Sequence, residues 1–177
     1  MRTVKRGGAY LRVADPSWRD PLEGHHAARY GGCWNPPESF PVIYLCRGEE
    51  VARANLRRLL APHPYGPEDL QPEAAPVLVA VTVREGRFLN AVTDAGCAAA
   101  GLPRTYPVDS RGRVVPRTRF HPIGAAAHET GLRGVAARSA APKAPRRGEE
   151  LAHFGRRGLR RGATRPFDEW FWPSAPP

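Results

Sequence analysis

The chain has 177 residues, of which 41% are hydrophobic and 25% are charged, so it is long enough for one folded domain and its composition excludes wholesale disorder. Twenty prolines and 18 glycines predict short elements joined by turns, not long helices. The formal net charge of +10 predicts a surface that attracts polyanions, such as nucleic acid, phosphorylated ligands or an acidic protein.

Cysteine spacing and hydropathy bear on where the protein works. Cys33, Cys46 and Cys97 form no CxxC pair, so neither a disulfide framework nor a zinc site is expected. The segment MRTVKRGGAYLRV lacks the apolar stretch of a signal peptide, and no window approaches a transmembrane span. We therefore expect a cytoplasmic protein that binds no metal and no membrane.

The first half of the chain is predicted to contain two short strands and one helix. The strands are Ala9–Ala14 and the apolar run Phe40–Cys46. Glu49–Leu60 is predicted to be a helix because glutamates open it and arginines close it, as the helix dipole favours. Asn55 falls on the inward stripe of this helix, where a polar side chain needs partners or a task.

The second half is predicted to add further strands, two helices and turns. In chain order these are a strand at Pro76–Val83, a turn at Glu85–Gly86, a strand at Arg87–Val92, a helix capped by Thr93 or Asp94, an exposed turn at Tyr106–Arg117, a helix from Pro122 to Gly131, and late strands at Gly134–Ser139 and Leu151–Phe154.

Strands and helices do not alternate regularly, which favours an α+β fold over a doubly wound sheet. We expect one domain over residues 1–155 and a basic tail over residues 156–177 that contains proline and tryptophan. Between Lys143 and Arg165, eight basic residues oppose two acidic ones. Nucleic-acid binding through this segment is an alternative that we do not favour, because aromatic residues are not interleaved with its arginines.

The segment RYGGCWNPPESFPVIYLCRGEEVARANLRRLL, Arg29–Leu60, resembles the signature of the RES-domain family of bacterial toxins. That signature has a glycine pair, Arg-Trp-Asn-Pro, an apolar strand ending in Tyr-Leu, and a helix. A weaker similarity reaches upstream to Ala9–Ala14 and downstream to HPIGAAAHETGLRGVAARSAA and LAHF. The chain lacks the motifs of Rossmann folds, phosphate loops, zinc proteases and serine hydrolases.

The resemblance implies a single α+β domain like that of ADP-ribosyltransferases, with a mixed sheet and flanking short helices. It also implies an enzyme that takes NAD⁺ as its substrate and cleaves the nicotinamide–ribose bond with water or phosphate as acceptor. No cofactor is implied. A cognate antitoxin protein is the implied partner, by analogy with the family.

The resemblance also assigns roles to individual residues. Residues implied to bind the substrate are Arg12, Cys33, Trp34 and Asn35, and residues implied to be catalytic are Tyr44, Asn55, Thr118 and Ser139. Arg12 would hold phosphate, since a guanidinium binds phosphate oxygens in pairs. Thr118 and Ser139 are two candidates for the family serine, and the residues do not decide between them. Tyr44 could equally be a core aromatic with a satisfied hydroxyl.

Two positions depart from the family pattern. Cys33 stands where the family has arginine, and a thiol supplies neither the charge nor the paired donors. Asn55 stands where the family has glutamate, and it keeps an acceptor but no negative charge. Losing one such group typically costs on the order of 10²–10³ in rate. An active NAD⁺-cleaving toxin and a weakened protein that binds a nucleotide or a partner both remain open, and both require Arg12, Tyr44 and Asn55 to converge on one cleft large enough for a dinucleotide.

Overall fold

Six strands pair into one mixed sheet in the computed structural model, which describes residues 1–145 and 148–172. The strands are β1 (Thr3–Ala14), β2 (Val42–Cys46), β3 (Val77–Ala91), β4 (Gly134–Arg138), β5 (Glu149–Phe154) and β6 (Leu159–Arg165). The helices are α1 (His25–Tyr30), α2 (Glu49–Leu60), α3 (Asp94–Ala99), α4 (His121–Glu129) and α5 (Phe167–Trp170). This arrangement confirms the predicted α+β class, with a mixed sheet and short flanking helices.

The sheet curls until its first five strands form a ring. The strand order is β1-β2-β5-β4-β3-β6, and β1 also pairs with β3. The pairing of β3 with β4 is parallel, and the other described pairings are antiparallel. The inner face of the ring packs against itself through apolar side chains such as Tyr10, Ile43, Val81 and Phe88.

Two groups of elements cover the outer face of the ring. Helices α2 and α5 cover one part, where Leu56 and Trp170 pack with Cys46 of β2. Helices α3 and α4 and residues 102–120 cover the other part, around Trp34 and Phe120. The two groups leave a gap over β2 and β5, and this gap forms the candidate site.

Helix α2 was predicted to the residue, because its charged ends and apolar stripe are local signals. The strands and helices predicted elsewhere are confirmed with shifted ends, and Thr93 caps α3 by accepting a hydrogen bond from the backbone of Gly96 at 3.0 Å. The turn predicted at Glu85–Gly86 is wrong. β3 runs through it because Gly86 pairs with Arg6 of β1.

We expected the domain to end at residue 155, but the described residues after it belong to the same fold. β6 pairs with β3 from Val83↔Leu159 to Leu78↔Arg165, and Trp170 is fully buried with its indole nitrogen donating to the carbonyl of Pro76 at 3.1 Å. β6 lies at the edge of the sheet, where a strand has one neighbour and its arginines can stay exposed. The sequence of this strand therefore has the composition of a basic tail. Residues 173–177 of that predicted tail lie outside the described residues. Among the described helices, none is long and apolar enough to cross a membrane.

Candidate active site

A pocket of about 210 Å³ opens on the outer face of β2 and β5, between α2 and the segment around residues 32–35. We call it the α2 pocket. Its polar and reactive lining consists of Cys33, Tyr44, Cys46, Asn55, Arg58, Arg117 and Glu150. Pockets that bury a whole drug-sized ligand usually measure about 300–1,000 Å³, so this one is sized for one end of a dinucleotide.

Strand register brings three of these groups to the same face. Tyr44 and Cys46 are two residues apart on β2 and therefore point the same way. Cys46 pairs directly with Glu150 of β5, and directly paired residues share a face. Glu149 precedes Glu150 and points to the opposite side, where Tyr10 donates a hydrogen bond to its carboxylate at 3.0 Å.

The hydroxyl of Tyr44 ties the segment around residues 32–35 to β2. It accepts a hydrogen bond from the backbone nitrogen of Trp34 at 3.0 Å and donates one to Oδ1 of Asn35 at 3.1 Å. Burial raises the pKa of Tyr44 well above its ordinary value. A side chain at Gly32 would overlap the hydroxyl oxygen of Tyr44, so the close approach requires glycine there.

Trp34 and Asn35 support the pocket from behind and do not line it. Asn35 is fully buried, and its amide donates to the carbonyls of Ala27 at 2.6 Å and Phe40 at 3.3 Å. Trp34 is 3% exposed and packs against the ring of Phe120 at 5.1 Å between centroids. Both residues therefore have a structural task in this chain, which differs from the substrate contact that the resemblance implied.

Asn55 links a carboxylate and a guanidinium across the α2 pocket. Its amide nitrogen donates to Glu150 at 2.9 Å, and its Oδ1 accepts from Nη2 of Arg58 at 3.5 Å. A carboxylate only accepts and a guanidinium only donates, so this amide orientation is the one that serves both neighbours. The amide that the sequence placed on the inward stripe thus has partners at both of its polar ends.

Two arginines give the α2 pocket an electropositive side. Neither Arg58 nor Arg117 forms an ion pair with a carboxylate among the residues that the structure describes. Nε of Arg58 is buried without a hydrogen-bond partner in that part of the chain. Burial raises the pKa of the Cys33 thiol, and the charge of Arg117 opposes that shift. The pocket therefore offers an anionic ligand two guanidinium groups that no described carboxylate neutralises.

Arg12 points away from the α2 pocket. Its Nη2 donates to the carbonyl of Glu23 at 3.2 Å, and its guanidinium carbon lies 5.3 Å from the centre of the Trp18 ring. Burial lowers the pKa of Arg12 to about 10. The expected convergence with Tyr44 and the helix amide is therefore wrong for this residue. Alternation along β1 turns Val13 outward to the pocket and Arg12 inward.

The two candidates for the family serine also lie outside the α2 pocket. Ser139 follows β4 and lines a second cavity of about 770 Å³, beside Arg138 and Tyr106. Its hydroxyl accepts a hydrogen bond from the backbone nitrogen of Ala141 at 3.3 Å. Thr118 is exposed in the short 3-10 turn that also carries Arg117. The structure thus brings Cys33, Tyr44 and Asn55 together and leaves both hydroxyls elsewhere.

Sequence reasoning missed three residues of the α2 pocket: Arg58, Arg117 and Glu150. Arg58 was noticed only as a charge at the end of a helix, and Glu150 only as an acid within a basic segment. The alternation of EELAHF, residues 149–154, separates its two glutamates onto opposite faces. The register between β5 and β2 decides which glutamate faces the pocket, and this register cannot be predicted from the sequence of β5 alone.

Comparisons with known proteins place the chain in a family. A family model described as the RES domain matches residues 9–167. Proteins named NAD(+) phosphorylase MbcT, from Mycobacterium bovis and Mycobacterium tuberculosis, are 34% identical over 84 residues, which is 48% of this chain. The match spans 45% of those relatives, about half their length.

A likeness in three dimensions covers nearly the whole chain. A chain in the crystal structure of the M. tuberculosis MbcT-MbcA toxin-antitoxin complex superposes with a TM-score of 0.78. The superposition covers 96% of this chain and 91% of that one, at 24% sequence identity. At this level of identity the likeness shows a shared fold.

Proposed function

Because this chain belongs to the RES-domain family, we propose that it cleaves the nicotinamide–ribose bond of NAD⁺ in the α2 pocket. The observation that carries the proposal is that Cys33, Tyr44 and Asn55 line one pocket together with two arginines. The first three come from separate parts of the family signature: a loop, a strand and a helix.

The chemistry requires a dry cavity for the nicotinamide ribose, donors for phosphate oxygens and an acceptor for positive charge on the sugar. The α2 pocket has apolar walls that include Val13 and Leu56, and it has two guanidinium groups and one carboxylate. Its volume suits the nicotinamide ribose, and we place the pyrophosphate at its mouth near the exposed Arg117.

We propose phosphate as the acceptor, because the relatives of this chain carry the name NAD(+) phosphorylase. A phosphate oxygen would bond to the anomeric carbon while the carbon–nitrogen bond breaks. Nicotinamide leaves with the bonding electron pair as a neutral molecule, and ADP-ribose 1″-phosphate is the second product. Arg58 and Arg117 are suited to hold the attacking anion, since guanidinium groups pair with phosphate oxygens.

The direct test is to incubate the purified protein with NAD⁺, with and without inorganic phosphate, and to quantify nicotinamide and the ribose product by chromatography and mass spectrometry. We expect nicotinamide release that depends on phosphate and a product carrying the added phosphate. Release at the same rate without phosphate, with ADP-ribose as product, would assign water as the acceptor. No release above the blank at micromolar protein would contradict the cleavage reaction and leave the nucleotide-binding alternative.

We further propose that the protein is the toxin of a toxin–antitoxin pair. The support is the fold shared with a chain of the MbcT-MbcA toxin-antitoxin complex. The formal charge of +10 is complementary to an acidic partner. Induced expression should lower cellular NAD⁺ and arrest growth, and co-expression of the neighbouring open reading frame should relieve the arrest. Normal growth with unchanged NAD⁺ at confirmed expression would contradict the proposal.

A further inference from the structure

We infer that Glu150 is the catalytic carboxylate of this protein and supplies the negative charge that Asn55 lacks. The inference rests on the proposed cleavage of NAD⁺ and assigns its charge-stabilising group. Asn55 then acts as a positioning residue that holds Glu150 through a hydrogen bond of 2.9 Å.

The placement of Glu150 is what the reaction needs. Among the described residues that line the α2 pocket, Glu150 is the one carboxylate. One of its oxygens accepts the hydrogen bond from Asn55, and the other accepts none from any described residue. That second oxygen is available to a ribose hydroxyl and to the positive charge that grows on the sugar as nicotinamide leaves.

The neighbouring glutamate does not compete for this role. Glu149 is 6% exposed and accepts two hydrogen bonds from the guanidinium of Arg6, at 2.8 and 2.7 Å. It also accepts the hydroxyl of Tyr10, on the side of β5 away from the pocket. Both carboxylate oxygens of Glu149 are therefore occupied in a buried ion pair, whereas one carboxylate oxygen of Glu150 accepts no hydrogen bond from a described residue.

The same contacts explain why an amide stands at position 55. A glutamate there would place a second carboxylate within hydrogen-bond distance of Glu150, and two carboxylates this close do not both stay ionised. An amide instead donates to Glu150 and accepts from Arg58. The amide on α2 and the carboxylate on β5 form a matched pair, in which the charge sits on the strand and not on the helix.

The test is a charge exchange between the two positions. Glu150→Gln should lower kcat for nicotinamide release by about 10²–10³ and change KM little, since the lost interaction acts mainly in the transition state. Glu50→Gln removes the same charge from an exposed position on α2 and should leave the rate unchanged. Adding Asn55→Glu to Glu150→Gln returns one carboxylate to the pair. The double variant should therefore have a kcat at least about tenfold higher than that of Glu150→Gln alone.

The outcomes separate this inference from the proposed function. Wild-type protein without activity contradicts both. An active wild type whose Glu150→Gln variant is equally active overturns the inference and leaves NAD⁺ cleavage standing. Thermal melting identifies variants that fail to fold. If Glu150→Gln unfolds, the exchanged double variant decides: a folded double variant with activity supports the inference, and a folded one without activity overturns it.

Discussion

Replacing Tyr44 by phenylalanine removes the hydroxyl that connects the segment around residues 32–35 to β2. The hydroxyl serves two buried partners, the backbone nitrogen of Trp34 at 3.0 Å and Oδ1 of Asn35 at 3.1 Å. Asn35 is fully buried, and its Oδ1 accepts a hydrogen bond from no other described residue, so the substitution leaves this oxygen without a protein partner there. Phenylalanine keeps the ring and its packing, and the substitution therefore isolates the two hydrogen bonds.

The magnitude follows from the cost of unsatisfied polar groups. Each buried group left without a partner costs about 1–3 kcal/mol. Tyr44 also lines the α2 pocket, where water can replace part of the loss, so we take the lower end for both groups. The free energy of unfolding should fall by about 2 kcal/mol, which corresponds to about 4–8 °C in Tm for a domain of this size.

The assay is urea denaturation of both proteins, with Tyr30→Phe as the matched control. Tyr30 is 59% exposed, and its hydroxyl bonds to no described residue, so that variant should stay within about 0.5 kcal/mol of the wild type. A loss below about 0.5 kcal/mol for Tyr44→Phe would mean that the hydroxyl does not hold the segment around residues 32–35 on β2.

Three further substitutions test Gly32, Arg117 and His153. Gly32→Ala places a methyl group against the hydroxyl of Tyr44 and should cost about 1–3 kcal/mol in urea denaturation; an unchanged midpoint would contradict the close approach. Arg117→Ala, made in the Glu150→Gln protein so that NAD⁺ is not consumed, should weaken NAD⁺ binding about tenfold in calorimetry. Arg119 is an exposed arginine in the same turn, and Arg119→Ala should leave the affinity unchanged. Equal effects of the two substitutions would show that Arg117 does not bind NAD⁺. Burial lowers the pKa of His153 below its ordinary value of 6.5, because the buried ring resists protonation. The folded-state pKa is thus the lower one, so its contribution to stability is complete above about pH 6.5 and is lost as the pH falls towards that lower pKa. Denaturation midpoints between about pH 7.5 and about pH 5 should fall for wild type and change less for His153→Gln, and parallel profiles would contradict this assignment.

The helices and strands that have local sequence signals could be predicted from the sequence. The contacts that depend on which strands pair with each other could not. Helix α2 has charged ends and an apolar stripe, so both its bounds and the inward placement of Asn55 could be predicted. β6 was missed because its three arginines and its glycine are typical of a tail, and only its hydrogen bonds to β3 make it a strand.

The residues of the candidate site could be predicted only where local sequence signals place them. Tyr44 and Asn55 follow from the signature and from helical periodicity, and both line the pocket. Arg12 was misplaced because sequence alternation separates the two faces of a strand without saying which face meets the substrate. Glu150 could not be found because its role depends on the register between β5 and β2, a tertiary relation that a single sequence does not reveal.

Protection of Cys33 from alkylation shows whether the dinucleotide binds in the α2 pocket. Cys33 and Cys46 both line the α2 pocket, but only Cys33 of these two is half-buried, whereas Cys46 is buried in the pocket wall and Cys97 is buried away from it. The protein is treated with a thiol reagent at mildly alkaline pH, with and without an NAD⁺ analogue whose nicotinamide–ribose bond cannot be cleaved, and modification is followed by peptide mass spectrometry. If the dinucleotide binds in this pocket, saturating analogue should slow modification of Cys33 at least about tenfold. Modification of Cys33 at an unchanged rate, with the analogue shown to be bound, would place the dinucleotide outside the α2 pocket and exclude this pocket as the active site.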